Sequence, residues 1–235
     1  GARLLPLNPA LPVSLLATLL PDLDIDFAFS PDLLPTLPAT VIRLNPPSTE
    51  HRWLNPPRWD AQRLATLTLT SGSSGTPKAA AHSYAAHLAS AEGVLQLMDF
   101  QSQDRWLLSL PLFHVSGQGI VWRWLTAGGG LVVRDMHLLA DALAGCTHAS
   151  LVPTQLWRLL AQPLATLTLK KVLLGGAMIP VELTEQAEAL GISCWCGYGL
   201  TELASTVCAT RAEARPGVGL PPAGREIEPV NEEVW

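Results

Sequence analysis

The stretch Thr70-Ser71-Gly72-Ser73-Ser74-Gly75-Thr76-Pro77-Lys78 gathers hydroxyls, two glycines and a lysine into nine residues. Glycine lets a backbone come close to an anion, and backbone N–H groups, hydroxyls and an ammonium can together surround a polyphosphate. The chemistry is that of a phosphate loop; a Ser/Gly surface turn is the plainer alternative. It is not the G-x-x-x-x-G-K-[ST] loop, because Pro77 precedes Lys78 and the glycine spacing differs, so the P-loop NTPase fold and mechanism do not follow. Only Lys78, Lys170 and Lys171 represent lysine in the chain, so a lysine here is more than generic surface charge. Three further segments combine glycine or polar groups with reactive side chains: Leu110-Pro111-Leu112-Phe113-His114, Gly175-Gly176-Ala177 and Gly197-Tyr198-Gly199-Leu200-Thr201-Glu202.

Each of the four segments directly follows a run that reads as a strand. Residues 66–70 alternate with period two, and predicted strands at 106–110, 131–133, 149–152, 172–174 and 192–196 follow. Between them the pattern predicts helices at 84–97, capped by Ser83, at 118–126, stopped by Gly128, at 138–143, after Thr154, and at 181–190, closed by Gly191. This alternation predicts an α/β fold of mainly parallel sheets flanked by helices, with right-handed crossovers. Ligands of such sheets gather beyond the carboxyl ends of the strands, so the four segments should share one cleft. Lys170 and Lys171 precede a strand and should enter it at the opposite end. Eleven of the 20 prolines lie before Arg58, which predicts short strands and turns there. Residues 1–62 thus read as a Pro-rich, partial N-terminal subdomain and 63–235 as the ligand-binding core. The near-identical pieces 61–68 and 161–168 differ in their flanks and read as two similar strands, with no repeat architecture.

The loop at 70–78 resembles the T-S-G-S-[ST]-G-x-P-K signature of adenylate-forming enzymes, and the other three segments match that superfamily's later motifs in order. Within it, the intervening text, including His114-Val115-Ser116-Gly117-Gln118-Gly119 and Trp122-Arg123-Trp124, is most similar to bacterial o-succinylbenzoate-CoA ligases of menaquinone biosynthesis. The resemblance implies that ATP and a carboxylate form an acyl-adenylate, and that CoA then displaces AMP. It places Thr70, Ser71, Gly72, Ser73, Ser74, Gly75, Thr76 and Lys78 on the β- and γ-phosphates. Thr201 falls on the α-phosphate, Glu202 on Mg²⁺, Tyr198 and Gly199 at adenine, and Gly175, Gly176 and Ala177 along adenine and the acyl group. Lys78, His114, Thr201 and Glu202 are the implied catalytic set. Taken singly, Glu202 also suits a first-turn helix charge, Tyr198 a core residue and the glycine pair a turn.

His114 reads either as a satisfied core histidine or as a residue bordering the acyl pocket. If Ser116 opens the next helix, Ile120 and Arg123 share its face. Flanked by Trp122 and Trp124, Arg123 is then the candidate cation for a distal substrate carboxylate, with a solvated helix arginine as the alternative. The superfamily also carries a downstream aspartate, a hinge and a small C-terminal domain bearing a lysine. None matches here, and the chain opens on Gly1, so a fragment of weak or no turnover is expected. Another aryl- or acyl-CoA ligase, or a non-catalytic nucleotide- or acyl-binding product, remain the alternatives.

Composition narrows the partners. Hydrophobic residues make up 48% and charged residues 15%, which predicts a well-buried fold. A net charge of -5 without a basic run sets nucleic acid aside. Residues 11–20 are leucine-rich, but Pro12 interrupts them and they are too short to span a bilayer. Cys194 and Cys196 lack C-x-x-C spacing, and with Cys146 and Cys208 they read as reduced, partly buried thiols of a cytoplasmic protein.

Overall fold

Proline removes backbone donors, and the described residues of the proline-rich opening segment form short pieces. In the computed structural model, residues 2–29, 42–44, 60–70, 77–163, 167–213, 217–223, 225–230 and 233–234 are described. The chain divides into two units, one of Leu7–Asp60 with Ser71–Lys78, the other of Gly1–Pro6, Ala61–Thr70 and Ala79–Trp235. In the first, helix α1 (Val13–Leu19) runs into a 3₁₀ turn, and strand β1 (Phe27–Phe29) pairs in parallel with β2 (Ile42–Leu44).

The second unit begins with β3 (Leu64–Thr70), which pairs with β4 (Lys78–Ser83) in a two-stranded sheet and bridges Leu4 through Thr66. The expected strand–loop–helix unit is therefore interrupted by a strand. β4 reads Lys-Ala-Ala-Ala-His-Ser, without the alternation that would announce it. Helix α2 (Tyr84–Met98) follows, and the Ala86 N–H donates to the Ser83 hydroxyl at 3.1 Å, the expected cap.

The main sheet contains β5 (Arg105–Leu107), β6 (Gly130–Val132), β7 (His148–Leu151), β8 (Lys171–Leu174), β9 (Ser193–Leu200) and β10 (Ser205–Arg211). Its spatial order is β10-β9-β8-β7-β5-β6, and every pair is parallel except β9 with β10. The antiparallel β10 extends a series that the sequence pattern closes at 196, and β9 itself runs on to Leu200. Helices α3 (Val115–Ala127), α4 (Leu139–Ala142), α5 (Pro153–Leu160) and α6 (Val181–Ala189) fill the crossovers. Thr154 does not open α5. Pro153 takes the first position, where its missing N–H costs nothing, and Gln155 Oε1 accepts from the Val152 N–H at 3.0 Å. Nor do the described residues of 161–168 form a second strand: Ala161 caps α5, Pro163 lacks a ladder donor, and 167–168 carry no regular structure.

Alternate strand residues feed two cores. Leu107, Val172, Leu174 and Cys194 pack with Leu156, Leu159 and Leu183 from α5 and α6. Trp106, Leu173 and Trp195 pack with Val94, Met98 and Ile120 from α2 and α3. At the amino end of β8, Lys171 Nζ donates to the Met98 carbonyl at 2.8 Å and pairs with Asp99 at 3.6 Å, at the expected end of the sheet. All four cysteines are free and buried, more fully than expected, and burial beside Glu188 pushes the Cys194 thiol up to about 12. No helix among the described residues is long and apolar enough to cross a membrane.

His87 on α2 joins these layers. Its ring stacks on Trp122 of α3 with centroids 4.8 Å apart, and Nε2 lies 2.8 Å from the Thr66 hydroxyl of β3. Burial, helped by His82 nearby, pushes its pKa down from 6.5 to about 4. Above pH 6.5 the ring is neutral folded or unfolded; between 6.5 and 4 the unfolded chain takes a proton the folded one refuses, so stability falls as pH falls. The loss should reach roughly 3 kcal/mol near pH 4. Urea midpoints from pH 7 to 4 should show this slope in the parent and a flatter one in His87→Gln.

Candidate active site

Chain order reverses between β5 and β7: β6 lies on one side of β5, and β7, β8 and β9 follow in turn on the other. Such a switch point opens a crevice at the carboxyl ends of the strands. A cleft of about 540 Å³ lies there, lined by residues that follow β5, end β7, follow β8 and continue β9. Three of the four motif segments reach it. Leu110, Pro111 and His114 come from the first, Gly175 and Gly176 from the second, and Gly197, Tyr198, Gly199, Leu200 and Thr201 from the third. Ser116 and Arg123 from α3 complete the predicted residues that line it. Ala177 and Glu202 are exposed beside lining residues without lining the cleft themselves. Thr70 closes β3, Lys78 opens β4, and residues 71–76 lie outside the described residues.

Close backbone packing shapes the entrance. Helix α3 can start just after the β5 loop because residue 117 is glycine; a Cβ there would collide with the carbonyls of Leu110 and Pro111. The helix begins one residue before Ser116, with His114 at its N-cap, exposed and facing the cleft. A core role for His114 is thereby set aside. Gln118 anchors this turn: its Nε2 donates to the Leu112 carbonyl and to the Thr68 hydroxyl, both at 3.0 Å.

Arg123 is 2% exposed, and its guanidinium lies 5.1 Å from the Trp106 ring centroid. One NH1 donor reaches the Ser150 hydroxyl at 3.2 Å, while Nε is buried with no partner among the described residues. No ion pair to Arg123 occurs among the described residues. The solvated-arginine alternative fails, and burial pushes its pKa from 12.5 down to about 10. Buried charges are ordinarily paired, so a guanidinium on a cleft wall with no acidic partner among the described residues has the chemistry to take an anion.

Ser109, Ser150, Gln155, Ser205 and Thr206 also line the cleft and escaped the motif reading. Ser109 donates to the Ser150 carbonyl, fixing the strand that carries the partner of Arg123. The available signal was a lone hydroxyl inside the apolar run 149–152. Ser205 sits in the tight turn from β9 to β10. Ala204 and Ser205 there have φ of 54° and 98°, conformations that cost on the order of 1–3 kcal/mol each in non-glycine residues. Gly199 permits the turn, since a Cβ would collide with the Ser205 carbonyl. Arg225 donates to the Leu203 carbonyl at 2.8 Å and His82 Nε2 lies 2.6 Å from that of Thr201.

Below about pH 10 the folded protein carries the full desolvation cost of Arg123, and the cost is relieved only as pH rises toward 12.5. Arg123→Met keeps much of the volume and removes the charge. It should stabilise the ligand-free protein by about 1–2 kcal/mol, the gain being partly offset by the lost Trp106 and Ser150 contacts. Urea unfolding at pH 7 measures this; a destabilised variant would show that the charge is satisfied in place.

The whole arrangement has close relatives. The model of the AMP-binding enzyme family matches residues 1–234. A 2-succinylbenzoate--CoA ligase from Escherichia coli (strain K12) is 59% identical over 236 residues, which is 100% of this chain and 51% of that protein. The corresponding ligase of Haemophilus influenzae is 46% identical over 240 residues, covering 100% of this chain and 50% of its own. Among solved structures, an arginine-to-lysine variant of E. coli MenE with bound OSB-AMS superposes with a TM-score of 0.91 at 58% identity, covering 100% of this chain and 52% of that one. The Bacillus subtilis o-succinylbenzoate coenzyme A synthetase in complex with ATP and magnesium ion gives 0.84 at 26% identity, covering 97% and 52%. The chain thus spans about half the length of the curated relatives it matches. Four ordered motifs, the α/β sheet with its cleft at the switch point, and a family match from end to end agree: this chain belongs to the AMP-binding enzyme family.

Proposed function

We propose that the chain carries the nucleotide- and acyl-binding part of a cytoplasmic, ATP-dependent ligase that adenylates o-succinylbenzoate and passes the acyl group to CoA, a step of menaquinone biosynthesis. The observation that carries this reading is Arg123, a buried cation on the cleft wall with no acidic partner among the described residues. o-Succinylbenzoate has two carboxylates. One must be activated, and the other needs a cation that the protein has left unpaired.

In the first step a carboxylate attacks the α-phosphorus of ATP and pyrophosphate leaves; in the second the CoA thiol displaces AMP. Both partners in the first step are anions, so their repulsion must be offset by preorganised donors and a metal ion. Tyr198, partly exposed along the cleft, offers an aromatic face to adenine, and the chain at Gly175 and Gly176 lets a flat ligand lie against backbone. Thr201 at the cleft is assigned to the α-phosphate, with the loop at 70–78 and its Lys78 on the outer phosphates. His114 and Ser116 border the acyl group. The donor set suits Mg²⁺: Glu202 is an exposed carboxylate next to Thr201, and no group of three His, Cys, Asp or Glu among the described residues could hold a metal by itself. A single carboxylate with phosphate oxygens and water is the coordination that Mg²⁺ favours.

Two measurements test the assignment in the intact protein. Arg123→Ala should lower pyrophosphate release with o-succinylbenzoate by at least about a hundredfold, while a benzoate lacking the second carboxylate loses far less. Equal losses on both acids would make Arg123 structural. Glu202→Gln keeps the shape and removes the charge, so it should move the Mg²⁺ titration of pyrophosphate release to higher concentration; an unmoved titration removes Glu202 from the metal site.

A further inference from the structure

The turn that presents Thr201 and Glu202 does not hold its own shape. It is a single 3₁₀ turn (Thr201–Leu203) between antiparallel strands, followed by two non-glycine residues with positive φ. Its internal bond, from the Ala204 N–H to the Thr201 carbonyl, is long at 3.3 Å. The same carbonyl has a second and much shorter partner, Nε2 of His82, at 2.6 Å across 119 residues of sequence. A carbonyl only accepts, so Nε2 carries the proton and donates it.

His82 is 3% exposed on β4, and its Nδ1 is buried with no hydrogen-bond partner among the described residues. An apolar side chain would fill the same space without an orphaned nitrogen. The ring also lies 5.2 Å from the His87 ring. What the imidazole supplies and a leucine cannot is one directed donor on the Thr201 carbonyl.

We propose that His82 is a positioning residue of the adenylation site. Its Nε2–H donor sets the turn so that Thr201 faces the cleft and Glu202 stands beside it. His82 touches neither nucleotide nor acid; it acts through the backbone of Thr201. The proposal rests on the assignment of Thr201 and Glu202 to the phosphate and its metal ion.

The test pairs two variants in the intact protein. His82→Leu removes the donor and should raise the KM for MgATP about tenfold while the KM for the acid stays within about twofold. His82→Gln places an amide N–H at a similar reach and should recover most of that loss. A purely structural role would shift both KM values together and leave Gln no better than Leu, and either result overturns the proposal, as does an unchanged MgATP dependence in His82→Leu. Should the leucine variant fail to fold, ¹⁵N spectra of the parent decide the point: a proton on Nδ1 and none on Nε2 would overturn it. Glu202→Gln separates this from the parent assignment. If Glu202→Gln leaves the Mg²⁺ titration unmoved while His82→Leu still raises the KM for MgATP, the metal assignment fails and the positioning role stands; the reverse pattern sinks His82 alone.

Discussion

A guanidinium taken out of water without a carboxylate beside it is costly, and the ligand cleft is arranged around that cost. Arg123 is held over Trp106 and bonded to Ser150, and Ser150 is in turn fixed by Ser109 through the strand carbonyl. Each contact orients the cation without neutralising it. A carboxylate beside it would neutralise the cation in place, and the described residues supply none. Among the described residues the charge is left without an acidic partner, and the proposed function gives that place to the second carboxylate of the acid.

The same logic governs the backbone. At Gly117 and Gly199 the absence of a Cβ lets two chain segments meet where any other residue would collide; Gly199 lines the cleft, and Gly117 packs on Leu110 and Pro111, which do. The turn at Ala204 and Ser205 stores strain that donors from Arg225 and His82 hold in place. Strain of this kind persists only where surrounding structure over-determines it. The sheet core, with Trp106, Leu107, Val172, Leu174 and Cys194 at or near zero exposure, supplies that rigidity. Parallel strands fixed in register by this core give the loops that leave them fixed origins.

Much of this was legible in the chain itself, because local patterns carry it. Period-two apolar runs and glycine stops located the strands and helices of the main sheet, and three of the four motif segments named the cleft. Ser83, Gly128 and Gly191 marked helix ends where a cap or left-handed residue is needed. β4 and β10 were not visible, since Lys-Ala-Ala-Ala-His-Ser has no alternation and β10 is buried along five successive residues. The repeated octet misled because its second copy starts at the C-cap of a helix and contains Pro163, and context overrides composition in a piece of eight residues.

By itself the sequence determined which residue types are present, the order in which they occur, and the α/β alternation that delivers three of the four motif segments to one edge of the main sheet. These are properties of local spacing and need no partner. Only the tertiary structure decided that Arg123 is buried and without an ion pair among the described residues rather than solvated, that His114 faces the cleft rather than the core, and that Ser150 and His82 belong beside it. Burial and pairing depend on residues far apart in sequence, 27 between Ser150 and Arg123 and 119 between His82 and Thr201. No local pattern encodes that proximity; it arises when the crossovers place the strand ends side by side.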